Sequence, residues 1–229
     1  MWCIPPKQNA EFVAHMEDIL EGYSRPFDGK RPVICMDEKP FQLLDEYLEP
    51  IPMRENNHSE KYDCEYVRKG SCAIFMFTEP LGGWREAHAL PHRTACDWAH
   101  QVKWLVDEAY SDADKMVLVT DNLNTHTTAS LYKAFSPEEA FRIAQKLEIH
   151  YTPKHGSWLD IAEIELSAPT VQCLLGTRIP TIDDLNRSLS AWSQRRNSKQ
   201  KGVSWHFTTD SARSHLAHLY PEIKLRISI

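Results

Sequence analysis

Two short apolar runs in this chain each end on an aspartate. Val33-Ile-Cys-Met36 leads into Asp37, and the strand expected over Lys115–Thr120, Met-Val-Leu-Val at its centre, leads into Asp121. A run that is apolar at every position has no face to give to water, so as a strand it must be covered on both sides. That requirement points to an α/β domain with helices on each face of a sheet. In such sheets, sites form outside the carboxyl ends of the strands, where both aspartates are expected to stand. Two carboxylates placed side by side repel each other, and burial adds to the penalty. A hard divalent cation with oxygen ligands offsets it. An aspartate after a strand is equally a common turn former or helix cap, so position alone does not decide.

The remaining pattern supplies the layers. Asn9–Tyr23 is compatible with a helix carrying Phe12, Met16 and Leu20 on one face, and residues 1–30 read as a connector. Arg31–Met36 reads as a strand ending at Asp37, and Asn56–Lys61 as a polar loop. Ser71–Thr78 and Trp84–Leu90 read as a hairpin around Pro80-Leu81-Gly82-Gly83. Thr94 caps a helix to Tyr110, Ser136-Pro137-Glu138-Glu139 starts another, and Leu147–Tyr151 is a further strand. Leu159–Leu175 is helical, with a kink or break expected at Pro169. A helix runs from Thr181 to about Arg196, and Thr209-Asp210 caps a last one ending near Tyr220.

The chain has 229 residues, enough for a sizeable core without staples. Its apolar runs fall well short of the roughly 18–20 residues that cross a bilayer, and no signal peptide is visible, so a cytoplasmic protein is expected. The six cysteines show no C-x-x-C pair and read as thiols. A net charge of −6 argues against a general DNA-coating protein. Between Asn186 and His206, however, Arg187, Arg195, Arg196, Lys199 and Lys201 occur with no acidic residue. That stretch is either a phosphate-binding patch or a solvated helix end.

A third acidic element follows in Lys154-His-Gly-Ser-Trp-Leu-Asp-Ile-Ala-Glu163. Glu163 and Glu165 both lie near the start of a helix. Two residues are about 200° of rotation, so only one of them faces the strand ends, and periodicity does not choose.

Met36-Asp-Glu-Lys39, Val119-Thr-Asp-Asn-Leu-Asn-Thr-His126 and Tyr151-Thr-Pro-Lys-His-Gly-Ser-Trp-Leu-Asp-Ile-Ala-Glu163 resemble the three signature blocks of mariner-type bacterial insertion-sequence transposases. These belong to the DDE superfamily, and the match is nearest to the IS-six-thirty branch. Asp97-Trp-Ala-His100 and Trp205–Arg213 extend the resemblance over nearly the whole chain. Each block alone is weak; three in order are specific. The resemblance implies an RNase H-like mixed sheet over residues 31–229, with antiparallel hairpin strands plus parallel strands flanked by helices. It implies Asp37, Asp121 and Glu163 as ligands for two Mg²⁺ or Mn²⁺ ions and leaves Glu165 a bystander. It further implies metal-dependent cleavage of double-stranded DNA at transposon ends, then joining of the 3′-end to a target TA step, by a homodimer.

Asn122 and His126 either orient Asp121 and contact phosphate, or cap a helix and pack. Lys154, His155 and Trp158 either hold DNA or, for Trp158 above all, anchor the core. His215 and His218 read as surface residues. Asp160 stands where the family usually has Asn, three residues before Glu163, where an extra carboxylate adds repulsion to the empty site. Only 36 residues precede Asp37, too few for the family's paired helix-turn-helix domains. Terminal-repeat recognition is therefore expected outside this chain, for instance in a separate helix-turn-helix polypeptide. Asp160 and that short N-terminus together raise a second reading, a decayed remnant that binds DNA or a partner without turnover. A third, another RNase H-like nuclease, is disfavoured by the Trp158–Glu163 block.

Overall fold

In the computed structural model, which describes residues 7–49, 51, 63–199, 201–203 and 205–222, the run Met116–Thr120 forms strand β4. All five of its residues are buried. It lies parallel between β1 (Val33–Glu46) and β5 (Leu147–Tyr151). With β2 (Tyr66–Glu79) and β3 (Trp84–Leu90) added antiparallel, the sheet order is β3-β2-β1-β4-β5. The expected mixed sheet is present. The β2–β3 turn closes at Gly83, whose φ of 71° is a left-handed conformation that costs glycine no Cβ clash.

Two strands run further than expected, and β2 begins at Tyr66 rather than Ser71. β1 does not end at Asp37; it continues to Glu46, paired with β2 in a register that sets Asp37 opposite Met76. Pairing with β4 is confined to Val33, Ile34 and Cys35. Beyond that point β2 is the strand paired with β1 among the described residues, and Pro40, which has no N–H to donate, is tolerated there. The expected loop at 56–61 lies outside the described residues.

Alternation along the strands sorts the core into two halves. Val33, Cys35, Val117 and Val119 face one side, under α1 (Ala10–Ser24), α5 (Ile161–Pro169), α6 (Ile182–Asn197) and α7 (Thr209–His215). Ile34, Met36, Met116 and Leu118 face the other, under α2 (Ala95–Trp104), α3 (Thr128–Ala134) and α4 (Pro137–Gln145). α1, expected within a connector, is built into the first half, with Phe12, Met16, Ile19 and Leu20 buried to 2% exposure or less. Thr94, Ser136 and Thr181 cap as expected, whereas α7 is capped by Thr208. α5 stops at Pro169 and continues as a wider π-type turn over Thr170–Leu174, because the proline has no N–H for the regular ladder. Among the described residues no helix is long and apolar enough to cross a membrane. The described cysteines are free thiols; Cys35 and Cys72 are buried, and Cys64 and Cys96 are exposed.

The outer edge of β3 is closed by two side chains from α6. Asn197 accepts from the Arg85 N–H and donates to the Arg85 carbonyl, both at 2.8 Å. Asn186 does the same at Ala89, at 2.7 and 3.0 Å. Eleven residues apart, the two asparagines fall almost on one helical line, so each imitates a rung of a missing strand. Removing both (Asn186→Ala with Asn197→Ala) strands four backbone groups. At about 1–3 kcal/mol for each buried group left unpaired, a clear fall in the urea midpoint is expected, with concentration-dependent association through the bared edge. An unchanged midpoint and a monomeric sedimentation profile would contradict this role.

Candidate active site

The parallel register places the two aspartates. Cys35 stands opposite Val119, and Asp37 and Asp121 each come two residues later. They therefore reach the same height on neighbouring chains and share the face of Cys35 and Val119, the face that α5 covers. Glu163 sits in the first turn of α5 and is exposed. Asp37 is subject to the charges of Asp121, Glu38 and Glu163 together, so the three expected carboxylates occupy one electrostatic neighbourhood.

Glu163 and Glu165 stand in different surroundings. Glu165 is buried and turned away, its Oε1 2.7 Å from both Arg85 Nε and Arg196 Nη2. It neutralises Arg85, itself only 2% exposed. Arg196, expected at a DNA face, is instead half-buried against Glu165 and over the Trp192 ring. Sequence charge patterning does not see such a partner, because it comes from another helix.

Asp160 is not a neighbour of Glu163 along the helix face. It precedes α5 in an extended conformation and caps it, accepting from the Ala162 N–H at 2.8 Å. Its other oxygen is buried without a hydrogen-bond partner. Burial first, and the Asp37 charge second, hold its carboxyl well above the usual range against the pull of the Ala162 N–H. The Asp-x-x-Glu pattern from Asp160 to Glu163 is a helix-start signal, and reading it that way would have found the cap.

Glu38 and His126 form the underside of the site. Alternation sends Glu38 to the face opposite Asp37. The His126 ring lies between Glu38 (Nε2 to Oε2 3.1 Å) and Asp121 (Nδ1 to Oδ1 2.5 Å). Burial disfavours the imidazolium, but the two carboxylates outweigh it and raise the pKa from 6.5 to about 9. Sequence reasoning set packing against orientation for His126; the ring is packed on Trp98 and lies in contact with Asp121. Glu38 was missed, although an acidic residue directly after Asp37 was a visible signal. Lys39 was also missed; its ammonium ties β1 to α5 through the Leu166 carbonyl and the Thr170 hydroxyl.

A groove of about 490 Å³ opens beside Asp121, lined by Asn122, Lys154, His155, Thr152, Glu11 and His15 among others. Asn122, Lys154 and His155 are exposed there, and His155 holds a φ of 66°, a strained value for a residue with a Cβ. Trp158 is buried and packs against Phe207 as a core anchor. Arg195, Lys199 and Lys201 are exposed but do not line this groove, and His215 and His218 lie on the surface.

The family described as DDE superfamily endonuclease matches residues 32–186. The chain belongs to that family. Both strand aspartates and the first turn of α5 fall inside the matched span of this DDE endonuclease domain. Among solved structures it resembles the Mos1 mariner paired-end complex with Mn (TM-score 0.56, 14% identity, 96% of this chain and 66% of that one). It also resembles the Mos1 strand transfer complex (TM-score 0.59, 13% identity, 97% and 65%). At such identities the likeness establishes the shared RNase H-like fold, and the domain spans just under two thirds of the Mos1 chains' length. No curated protein matches the chain by sequence.

The donor set suits divalent metal: all three expected ligands are carboxylates, and mutual repulsion with burial has driven one of them far from its ordinary acidity. Among the described residues no three acidic, histidine or cysteine side chains already stand at ligating distances, so holding an ion would require these side chains to draw together. The same repulsion yields a pH signature. Burial first, and then the neighbouring charges, raise Asp37 from 3.8 to about 7, with the Glu38 N–H opposing. Over that window the folded domain holds a proton that the unfolded chain has released, so metal-free stability is expected to fall as pH rises. His126 continues the fall from 6.5 to about 9. Thermal melts of Asp37→Asn should flatten the lower part and leave the upper part; an unaltered slope between pH 4 and 7 would contradict the assignment.

Proposed function

We propose that this chain is the catalytic domain of a mariner-type insertion-sequence transposase of the IS-six-thirty branch. The reading is carried by the convergence of Asp37 and Asp121, at one height on adjacent parallel strands, with the first turn of α5 on the same face. Asp37, Asp121 and Glu163 would hold two Mg²⁺ or Mn²⁺ ions, which when bound activate an attacking oxygen and stabilise the departing 3′-oxygen at phosphorus. Lys39 holds α5 against β1, which fixes the approach of Glu163 to the aspartates. Asn122, Lys154 and His155 present donors along the groove, suited to a backbone phosphate strand passing Asp121. Arg195, Lys199 and Lys201 offer a further cationic surface for duplex DNA. The substrates are then double-stranded transposon ends and a target TA step, brought together in a homodimer. A cytoplasmic, nucleoid-associated setting follows from that substrate.

Nicking of supercoiled plasmid in Mn²⁺ and joining of a pre-cut 3′-end test the reading. Asp37→Asn, Asp121→Asn and Glu163→Gln should each lower both activities at least about 100-fold, since metal-borne stabilisation is worth several kcal/mol, while melting temperatures hold or rise. Full activity in any one removes that residue from the site. A binding-only remnant instead predicts a wild-type chain that retains DNA in Mn²⁺ without cutting it. The buried carboxylate of Asp160 beside Asp37 gives that alternative its one structural support. Asp160→Asn keeps the cap oxygen and removes the group that can ionise beside Asp37. It should speed cleavage most at low Mg²⁺; equal rates at every Mg²⁺ concentration would reject the repulsion.

A further inference from the structure

The site contains one buried ring to which the reading above gives no task. His126 is 1% exposed and stacks on Trp98, with centroids 5.7 Å apart and planes at 23°. Its backbone is pinned as well: its N–H donates to the Leu123 carbonyl at 2.9 Å, and the Tyr151 hydroxyl donates to its carbonyl at 2.8 Å. Nδ1 lies 2.5 Å from Asp121 Oδ1 and 3.0 Å from Thr120 Oγ1, and Nε2 lies 3.1 Å from Glu38 Oε2.

Asp121 follows the last residue of β4, so the strand ladder does not hold it, and its side chain is 37% exposed. Glu38 is unsuited to the same ions as Asp37. It is 2% exposed at the side chain, and alternation along β1 sends it to the opposite face. We infer that His126 is a positioning residue: it fixes the Asp121 carboxylate for divalent metal and takes its own orientation from Glu38. Consecutive acidic residues thereby divide the work, Asp37 above the sheet for the ions and Glu38 below it for the imidazole. Groups that orient a metal ligand in this way typically change metal affinity 10–100-fold when removed. The inference rests on the proposed metal site.

The alternative is that His126 only fills space, and two amides separate the cases. In His126→Asn the side-chain NH₂ falls near the place of Nδ1 and still reaches Asp121; in His126→Gln it falls near Nε2 and reaches Glu38 alone. Mn²⁺ affinity of the full chain, titrated by electron paramagnetic resonance without DNA, is the readout. His126→Gln and His126→Ala should weaken binding roughly 10–100-fold, His126→Asn should stay near the wild-type value, and Glu38→Gln should weaken it with packing volume unchanged. Should the alanine variant fail to fold, the two amides and Glu38→Gln still decide. Equal loss in the two amide variants, or no loss in any variant, overturns the inference. Asp121→Asn in the same titration keeps the two levels apart. If it binds Mn²⁺ like wild type, the metal site itself is wrong and the inference falls with it. If it loses Mn²⁺ while every His126 variant keeps it, only the positioning role is lost.

Discussion

Three rungs of parallel pairing between β1 and β4 underlie the site. They bring two aspartates far apart in sequence to one height and one face, and every other part of the centre is placed relative to that pair. The helices on the same side, α5 above all, are where they are because Val33, Cys35, Val117 and Val119 need cover. The apolar requirement that makes the strands central thus also brings Glu163 to the aspartates. A slip of one residue between β1 and β4 would turn one aspartate to the opposite face.

The supporting charges are disposed by a simple geometric rule. Glu165, two positions from Glu163, turns inward to Arg85 and Arg196, while Glu38, one position from Asp37, goes beneath the sheet to His126. Each acidic residue adjacent to a proposed ligand is thus carried away from it by the period of its own element, helical in one case and extended in the other. Asp160 is the exception: a cap whose second oxygen remains buried and unpaired near Asp37. It is the one place where a helix-forming choice and the electrostatics of the centre conflict.

Legibility in the sequence followed how local each signal was. β3 and β5 were readable to the residue and β4 within one, because alternation or unbroken apolar character needs no partner to be recognised. The lengths of β1 and β2 were not, since the polar residues beyond Asp37 become strand only by pairing with each other. α3, seven residues long, was missed. Of the proposed site, the two strand aspartates could be picked out from the sequence, and Glu163 through resemblance. The Arg196 ion pair was not visible because its partner comes from α5. The link from Glu38 to Asp121 was invisible because it depends on a ring reaching under a strand from a later loop.

The asparagine clamps on β3 also limit what this sheet can be used for. With the backbone at Arg85 and Ala89 already satisfied, no extended segment from another polypeptide can add itself there without first displacing α6. A partner that meets the domain along β3 must be gripped by side chains and loops. Its quaternary contacts can therefore diverge without disturbing the strand register that sets the aspartates.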